Sequence, residues 1–553
     1  MALCRSKKPH QKACALGVMA LLFLSACSSA AIPASGQARI RWRDPGLESM
    51  MREYLGKPSG TISQSDLAGI QSICIEGSDI RHADESDEDF SRRLERQQKE
   101  FEEASTAELL KSNEKLERTL YYLEDFLEFP DLAQLTIKDG WITDLGPVPL
   151  MENLISLSLI GCHIQDISSL ASASNLLDLN LDSNSSLESL APLTGIPQLR
   201  SLSISASDDS YAFYLPIATL TNLEKLSLPK VPDAAFLNSL QNLSELSIGI
   251  TQQSQEQEID LSFLKKLKHL DSLTLKLNGD ADLTPLSESG QLTSLALTLT
   301  DQKGLEPVQK VDLSALTALF QLRDLSLTAT GNQVSKEFKS LAPLSSLSKL
   351  ENLRITGTVH SGLQTLGALK NLKSLYLDPS TTEGITDFSF ISAMTALNQL
   401  QLSRIDTADL DFLRPLTQMQ QLTIPSSKLR DIGPLSGMSR LTTLDLSSNK
   451  IENIEPLSGL ITLHSLNLSK NKISDLSPLE SLTQLEALSL NKNELIDLNA
   501  LSGLIHLKSL ELASNDVADL SPLSGLRLDS LIIKDNKRIQ DYSPVQHVPG
   551  LER

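Results

Sequence analysis

A unit of about 22 residues, L-x-x-L-x-L-x-x-N-x-I/L, recurs along this chain and limits what it can fold into. The clearest copy begins at Leu441, and the pattern restarts at Leu463, Leu485, Leu507 and Leu528. Alternation in L-x-L predicts a short strand with its leucines on one buried face. Identical strands of successive units can pair in parallel, about 4.8 Å apart. The asparagines at this point of the unit, Asn449, Asn471, Asn493, Asn515 and Asn536, can satisfy backbone groups where the chain turns out of the strand. The second half of the unit has the form I-x-D-L-x-P-L, as at Ile473, Asp475, Leu476, Pro478 and Leu479. Its leucines close the other side of the same core, and proline there favours short turns or 3₁₀ segments over a long helix. One unit cannot bury its own leucines, so the array must stack and cap its ends.

Tracing the pattern backwards gives starts at Met419, Leu397, Leu372, Leu350, Leu322, Leu292, Leu270, Leu243, Leu223, Leu199, Leu176, Leu154 and Leu132, eighteen units in all from residue 132 to about 550. A weaker start lies at Ile70. This pattern is the leucine-rich repeat, and it resembles the 22-residue repeat class of internalin-like bacterial surface proteins over about three-quarters of the chain. The resemblance implies an α/β solenoid: a horseshoe or arc with a parallel β-sheet on the concave face, short 3₁₀ or turn segments on the convex side, and a helical N-terminal cap. It also implies a scaffold that binds a protein partner. Some units depart from the pattern. In the middle of the array the asparagine column becomes Ser207, Val231, Thr251, Thr300 and Ser380, and the units lengthen, which places residues 251–260 and 301–312 in loops outside the sheet. Cys162 occupies the asparagine column of its unit, a common substitute in this repeat class, and Cys74 an outward strand position.

The N-terminus has the features of a targeting segment. Arg5, Lys7, Lys8 and Lys12 precede an apolar run over 13–24 that is too short to span a bilayer comfortably. Leu24, Ser25, Ala26 and Cys27 then resemble the lipobox of bacterial lipoproteins. That resemblance implies a signal peptide over 1–26, lipid on Cys27, and a protein exported to the bacterial cell envelope and held on the outer face of a membrane. The segment 27–44, rich in Ser, Ala, Pro and Gly, is expected to be a tether, and 45–83 a helical cap with an incomplete first repeat. Residues 84–131 interrupt the array with many acids. Stripes at Phe90, Leu94 and Phe101 and at Leu109, Leu116, Leu120, Leu123 and Leu127 predict an inserted acidic helical hairpin, its second helix starting at the capping box Ser105, Thr106, Ala107, Glu108. The repeats fill 132–553.

Chemistry-bearing motifs are absent from the sequence. There is no H-E-x-x-H, G-x-S-x-G, G-x-G-x-x-G or complete phosphate loop, and no catalytic residue, cofactor or metal site is assigned. A net charge of −20 leaves no basic face for nucleic acid. Aromatic residues are only 4% of the chain, which argues against a site built on stacking. Asp144, Asp166, Asp431, Asp475, Asp497, Asp519 and Asp541 recur at one repeat position, as turn or cap residues do; a calcium ladder there would lack the oxygen-rich local spacing of known loops. Cys74 and Cys162 are the two cysteines downstream of Cys27, too few for a disulfide framework, though a single bridge between them is conceivable.

The middle x of L-x-L points away from the core and can be followed along the chain. It is mostly small: Thr136, Ser158, Asn180, Ser203, Ser227, Ser247, Thr274, Ala296, Ser326. It then becomes Arg354, Tyr376 and Gln401, with Asp378, Gln399 and Arg404 at neighbouring outward positions. Arginine and tyrosine are common interface anchors. These six residues are the candidate ligand-binding patch of a non-enzymatic, membrane-anchored binding protein. The alternative is an envelope structural or enzyme-regulating factor.

Overall fold

The computed structural model describes residues 40–553 except 78, 82–84, 87–91, 93–119, 207–209, 253–257, 301–310, 331–336, 360, 379–384 and 406–409. The signal segment, Cys27, Ser207, Ser380 and most of the two middle loops therefore lie outside the described residues. The chain divides into two compact units, one ending at Ile248 and the other beginning at Gly249.

The first unit opens with a helix, Pro45–Tyr54, for plain local reasons. Asp44 accepts hydrogen bonds from the N–H groups of Gly46 and Leu47, Pro45 sits at the first turn, and Leu47, Met50 and Met51 are buried. The tether boundary at 44 needs correction. Ile40 is buried and donates its N–H to the Ile62 carbonyl at 3.2 Å. Asp125 accepts the N–H groups of Arg43 and Asp44, and the Asp44 carboxylate accepts that of Tyr121. Residues 40–44 thus belong to the folded cap, fastened by contacts about eighty residues away in sequence.

The strand Ser72–Glu76 pairs in parallel with Gln134–Lys138, Cys74 opposite Thr136, and between them in sequence the short strand Asp79–Ile80 turns back to pair antiparallel with Ser72–Glu76. Residues 87–91 and 93–119 of the expected hairpin lie outside the described residues. Its described end is not the helix the leucine stripe predicts. Residues 120–123 form no helix, and Glu124–Glu128 is a 3₁₀ segment with Phe126 buried. Leu120 and Leu123 turn inward while Leu127 is exposed, because Asp44 and Asp125 recruit the backbone here for the cap. From Gln134–Lys138 the ladder continues in parallel through Ser156–Ile160, Asp178–Leu181, Ser201–Ile204 and Lys225–Val231.

The second unit repeats the same geometry. Parallel strands run in uniform register from Ser272–Asn278 to Gly550–Glu552, leucine opposite leucine at each step, as Leu444, Leu466 and Leu488 show. Opposite the strands lie 3₁₀ segments such as Ser477–Leu479, with Pro478 in the first turn and Leu479 buried. This is the leucine-rich repeat fold: parallel sheet on one side, short 3₁₀ turns on the other, one leucine core between.

Two kinds of unit occur along it. Where the asparagine recurs in consecutive units, from Asn449 to Asn536, strands are three residues long, as in Thr443–Asp445 and Ser465–Asn467. Asn493 explains why. Its amide donates to the carbonyls of Leu468 and Leu490 (3.0 Å each), and its oxygen accepts the N–H of Ile473 at 3.1 Å. The side chain replaces main-chain pairing where the chain leaves the strand. In the middle units that have lost the asparagine, main-chain pairing takes over in some and the strand reaches seven residues, as in Ser294–Thr300 and Asp324–Thr330. Val231 simply fills core there. Next to Thr251, buried Gln252 takes on the capping role, accepting the N–H of Asp280 at 2.8 Å. In the units that keep the asparagine from Asn449 to Asn536, the residue before it is held left-handed whatever its type, for example Ser448 (φ 59°), Lys470 (φ 58°) and Asp535 (φ 60°).

Candidate functional site

The outward column of the second unit is built by the strand register. Ser326, Arg354, Tyr376, Gln401 and Thr423 are successive register partners. The leucines flanking each residue are buried, so its side chain must leave on the opposite face. Arg354 uses this proximity: its guanidinium carbon lies 3.6 Å from the centre of the Tyr376 ring. Arg354 is exposed, while Tyr376 and Gln401 are half-buried. Behind the stack, Glu351 bridges two neighbouring strands by accepting from Arg323 and Lys373, both at 2.5 Å. These two cations hold the Glu351 carboxyl below its usual range, Lys373 contributing most.

The other three candidate residues sit differently. Gln399 is exposed in the parallel column, between Ser374 and Gln421. Asp378 lies one residue past its strand, Ser374–Leu377. Its N–H donates to the Ile355 carbonyl at 3.1 Å, and its carboxylate accepts the N–H of Gly357 at 3.4 Å, so it helps cap the preceding unit. Arg404 is exposed two residues past the strand Gln399–Leu402, in the left-handed position (φ 56°), and its N–H donates to the Pro425 carbonyl. Register brings Arg354, Tyr376 and Gln401 together; Asp378 and Arg404 belong to the turn that follows the sheet.

A polar network further along the same face escaped the sequence reading. Past Thr423 the column continues as Asp445, Asn467, Ser489 and Glu511. Asn467 donates to Asp445 at 3.2 Å, and Glu511 accepts from Ser489 at 2.6 Å and from Asn491 at 2.5 Å. The signal was the same middle-x column, which had not been followed beyond Gln401.

The repeated aspartates cap turns. Asp475, Asp519 and Asp541 each accept the N–H of the residue two further on, Ser477, Ser521 and Ser543, at 2.8–2.9 Å. These bonds hold all three carboxyls below their usual range. Their oxygens are engaged at the starts of 3₁₀ segments, and the described residues hold no group of three or more ligands arranged for a metal ion. Cys74 and Cys162 are both free. Cys162 is buried in the asparagine column, donating to the carbonyls of Ile137 and Ile160 at 3.4 Å, and burial pushes its thiol up to about 12.

No protein-family model matches the chain, and no curated protein matches it in sequence. Among solved structures it is similar to an internalin (inlF) of Listeria monocytogenes, at 20% identity over 88% of this chain and 94% of that one, with a TM-score of 0.32. It is also similar to a leucine-rich repeat protein of Leptospira interrogans, at 21% identity over 75% of this chain and 94% of that one, with a TM-score of 0.44. A third likeness is to the leucine-rich repeat ectodomain of a plant membrane receptor kinase from Arabidopsis thaliana, at 17% identity over 76% of this chain and 65% of that one, with a TM-score of 0.36. Likenesses at this level say nothing about a ligand.

Proposed function

We propose that this chain is an internalin-like lipoprotein of the bacterial envelope, lipid-anchored through Cys27, whose repeat sheet binds a protein partner. The reading is of a scaffold, with no catalytic role. The observation that carries it is the stack of Arg354 on Tyr376 in a column otherwise made of small or uncharged residues as far as Thr423. An arginine laid flat on an aromatic ring is pre-ordered, and its N–H edge remains available to a partner's carboxylate or carbonyl. Among the described residues, Arg354 donates no side-chain hydrogen bond. Gln401 extends the surface with an amide that can both donate and accept.

Two experiments test the two halves of this reading. Fatty-acid labelling should mark the wild type and leave Cys27→Ala unmarked; equal labelling of both removes the anchor. A pull-down from envelope extracts with soluble residues 28–553 should recover a partner, whose affinity should fall for Arg354→Ala and Tyr376→Ala. Full binding by both folded variants removes this surface from consideration.

A further inference from the structure

Aromatic residues are scarce in this chain: 2 Trp, 7 Tyr and 13 Phe in 553 residues. Both tryptophans and two of the tyrosines nevertheless lie in the cap and first repeat of the first unit. The main-chain N–H of Trp141 donates to the Leu120 carbonyl at 2.8 Å, one residue before Tyr121. Tyr121 and Tyr122 have ring centres 6.4 Å apart, and the Arg43 guanidinium lies 4.4 Å from the Tyr122 ring centre. Trp141 packs against His163 at 4.3 Å. Trp42 makes an edge contact with Phe129, itself against Phe126. Three of the rings are open to solvent: Trp141 at 53%, Tyr121 at 45% and Tyr122 at 40%.

The platform beneath them is fixed. The Asp44 carboxylate accepts the N–H of Tyr121 at 2.8 Å, Asp125 accepts that of Asp44 at 2.7 Å, and Arg43 is ion-paired with Glu124. The rings are therefore held outward by a hydrogen-bonded cap. Arg43, the charge nearest Tyr122, is neutralised by its own partner.

We propose that this aromatic face docks into the interfacial zone of the bilayer that the lipid anchor reaches. The inference rests on the Cys27 reading above. The described chain begins at Ile40, three residues before Arg43, and Cys27 lies thirteen residues before Ile40. A chain of that length reaches at most about 45 Å. A lipid on Cys27 therefore keeps this face within reach of the membrane, at an effective concentration in the millimolar range. Trp and Tyr are the side chains that settle where headgroups meet hydrocarbon, since each has an apolar body and one polar group to keep wet. A chain of net charge −20 would be repelled by a strongly anionic surface, so the match is to lipid of low negative charge, entered through rings and not through cations.

The test uses the full-length lipidated protein in phosphatidylcholine–phosphatidylethanolamine vesicles, with or without bromine on the acyl chains. Trp42→Phe leaves Trp141 as the single tryptophan. Its emission should shift to the blue on vesicles and lose at least about half its intensity on brominated lipid, and Tyr121→Ser with Tyr122→Ser should weaken both effects. The difference between wild type and Trp141→Phe provides the same measurement with Trp42 untouched. Protein mass shows separately whether Cys27 carries lipid. If it does not, Cys27→Ser protein held on nickel-chelating vesicles by an N-terminal hexahistidine tag gives the same readout, so failure of the anchor and failure of the docking are distinguished. Unquenched Trp141 on either anchored form overturns the proposal. So does a Trp141 shielded from soluble acrylamide to the same extent without vesicles as with them, which would mean that the protein itself covers the face.

Discussion

Arg354 and Tyr376 are register partners on adjacent parallel strands, and the guanidinium of the first lies 3.6 Å from the ring centre of the second. The strand spacing makes such a contact possible, and the small residue on the next strand, Ser326, leaves the arginine uncovered on its other side. Neither side chain enters the leucine core. Arg354→Ala and Tyr376→Ala should each unfold within about 0.5 kcal/mol of wild type while weakening partner binding by about tenfold or more. Denaturant titration alongside affinity measurement separates the two effects. A large stability loss with unchanged affinity per folded molecule would make the stack structural.

The asparagine column supports a sharper stability prediction. Asn493→Ala removes both carbonyl contacts and the acceptor for Ile473, leaving buried backbone groups unpaired. The expected cost is about 3 kcal/mol. Chemical denaturation followed by circular dichroism measures it. A loss below about 0.5 kcal/mol would mean that water or relaxation replaces the amide.

Acid should act on the cap. The Lys57 ammonium, then the Ser63 N–H, lowers the Asp66 carboxyl from its ordinary 3.8 to about 2. A carboxyl depressed on folding contributes stability that is complete above its unfolded value and is lost as pH falls through its folded value. The cap should therefore weaken between about pH 4 and pH 2, by about 1 kcal/mol once solvent screening of the part-exposed pair is allowed for. Asp66→Asn should flatten this dependence. Proteolysis of the N-terminal segment across that range is the check, using an acid-active protease.

The two free thiols should differ in reactivity. In residues 28–553 a maleimide at neutral pH should label Cys74, which is half-buried on the sheet face. Cys162, buried and raised to about 12, should react about a thousandfold more slowly until denaturant is added. Mass spectrometry should show one adduct on the native form and two on the unfolded one.

What could be read from the sequence was whatever depends on spacing within one unit. The L-x-L alternation located the strands, and Asp475 announced a turn because aspartate recurs at that position of the repeat. The register that joins Arg354 to Tyr376 follows from counting the same column in two units. Features that depend on distant partners were hidden. The bond from Asp44 to Asp125 spans 81 residues, so neither the start of the cap nor the failure of the Leu120–Leu127 stripe to form a helix could be seen locally. Gln252 capping Asp280 replaces a missing asparagine from a neighbouring position, and no column count would find it. The aromatic face likewise draws on residues 43, 121–122, 141 and 163, which become neighbours only after folding.

The asparagine ladder also has a direction. Asn493 completes Leu468 and Ile473, which lie in the preceding unit, and Asn515 does the same for Leu490 and Leu495. Each unit is finished by its successor. A chain made available from its N-terminus onward cannot close its most recent turn until the next asparagine arrives, so order should advance one unit behind the growing end. Loss of residues from the C-terminal side would expose freshly unpaired backbone in the unit left last, whereas loss from the N-terminal side would remove asparagines only after the units they serve. Along this stretch, the two ends of the array are unequal in how they begin to come apart.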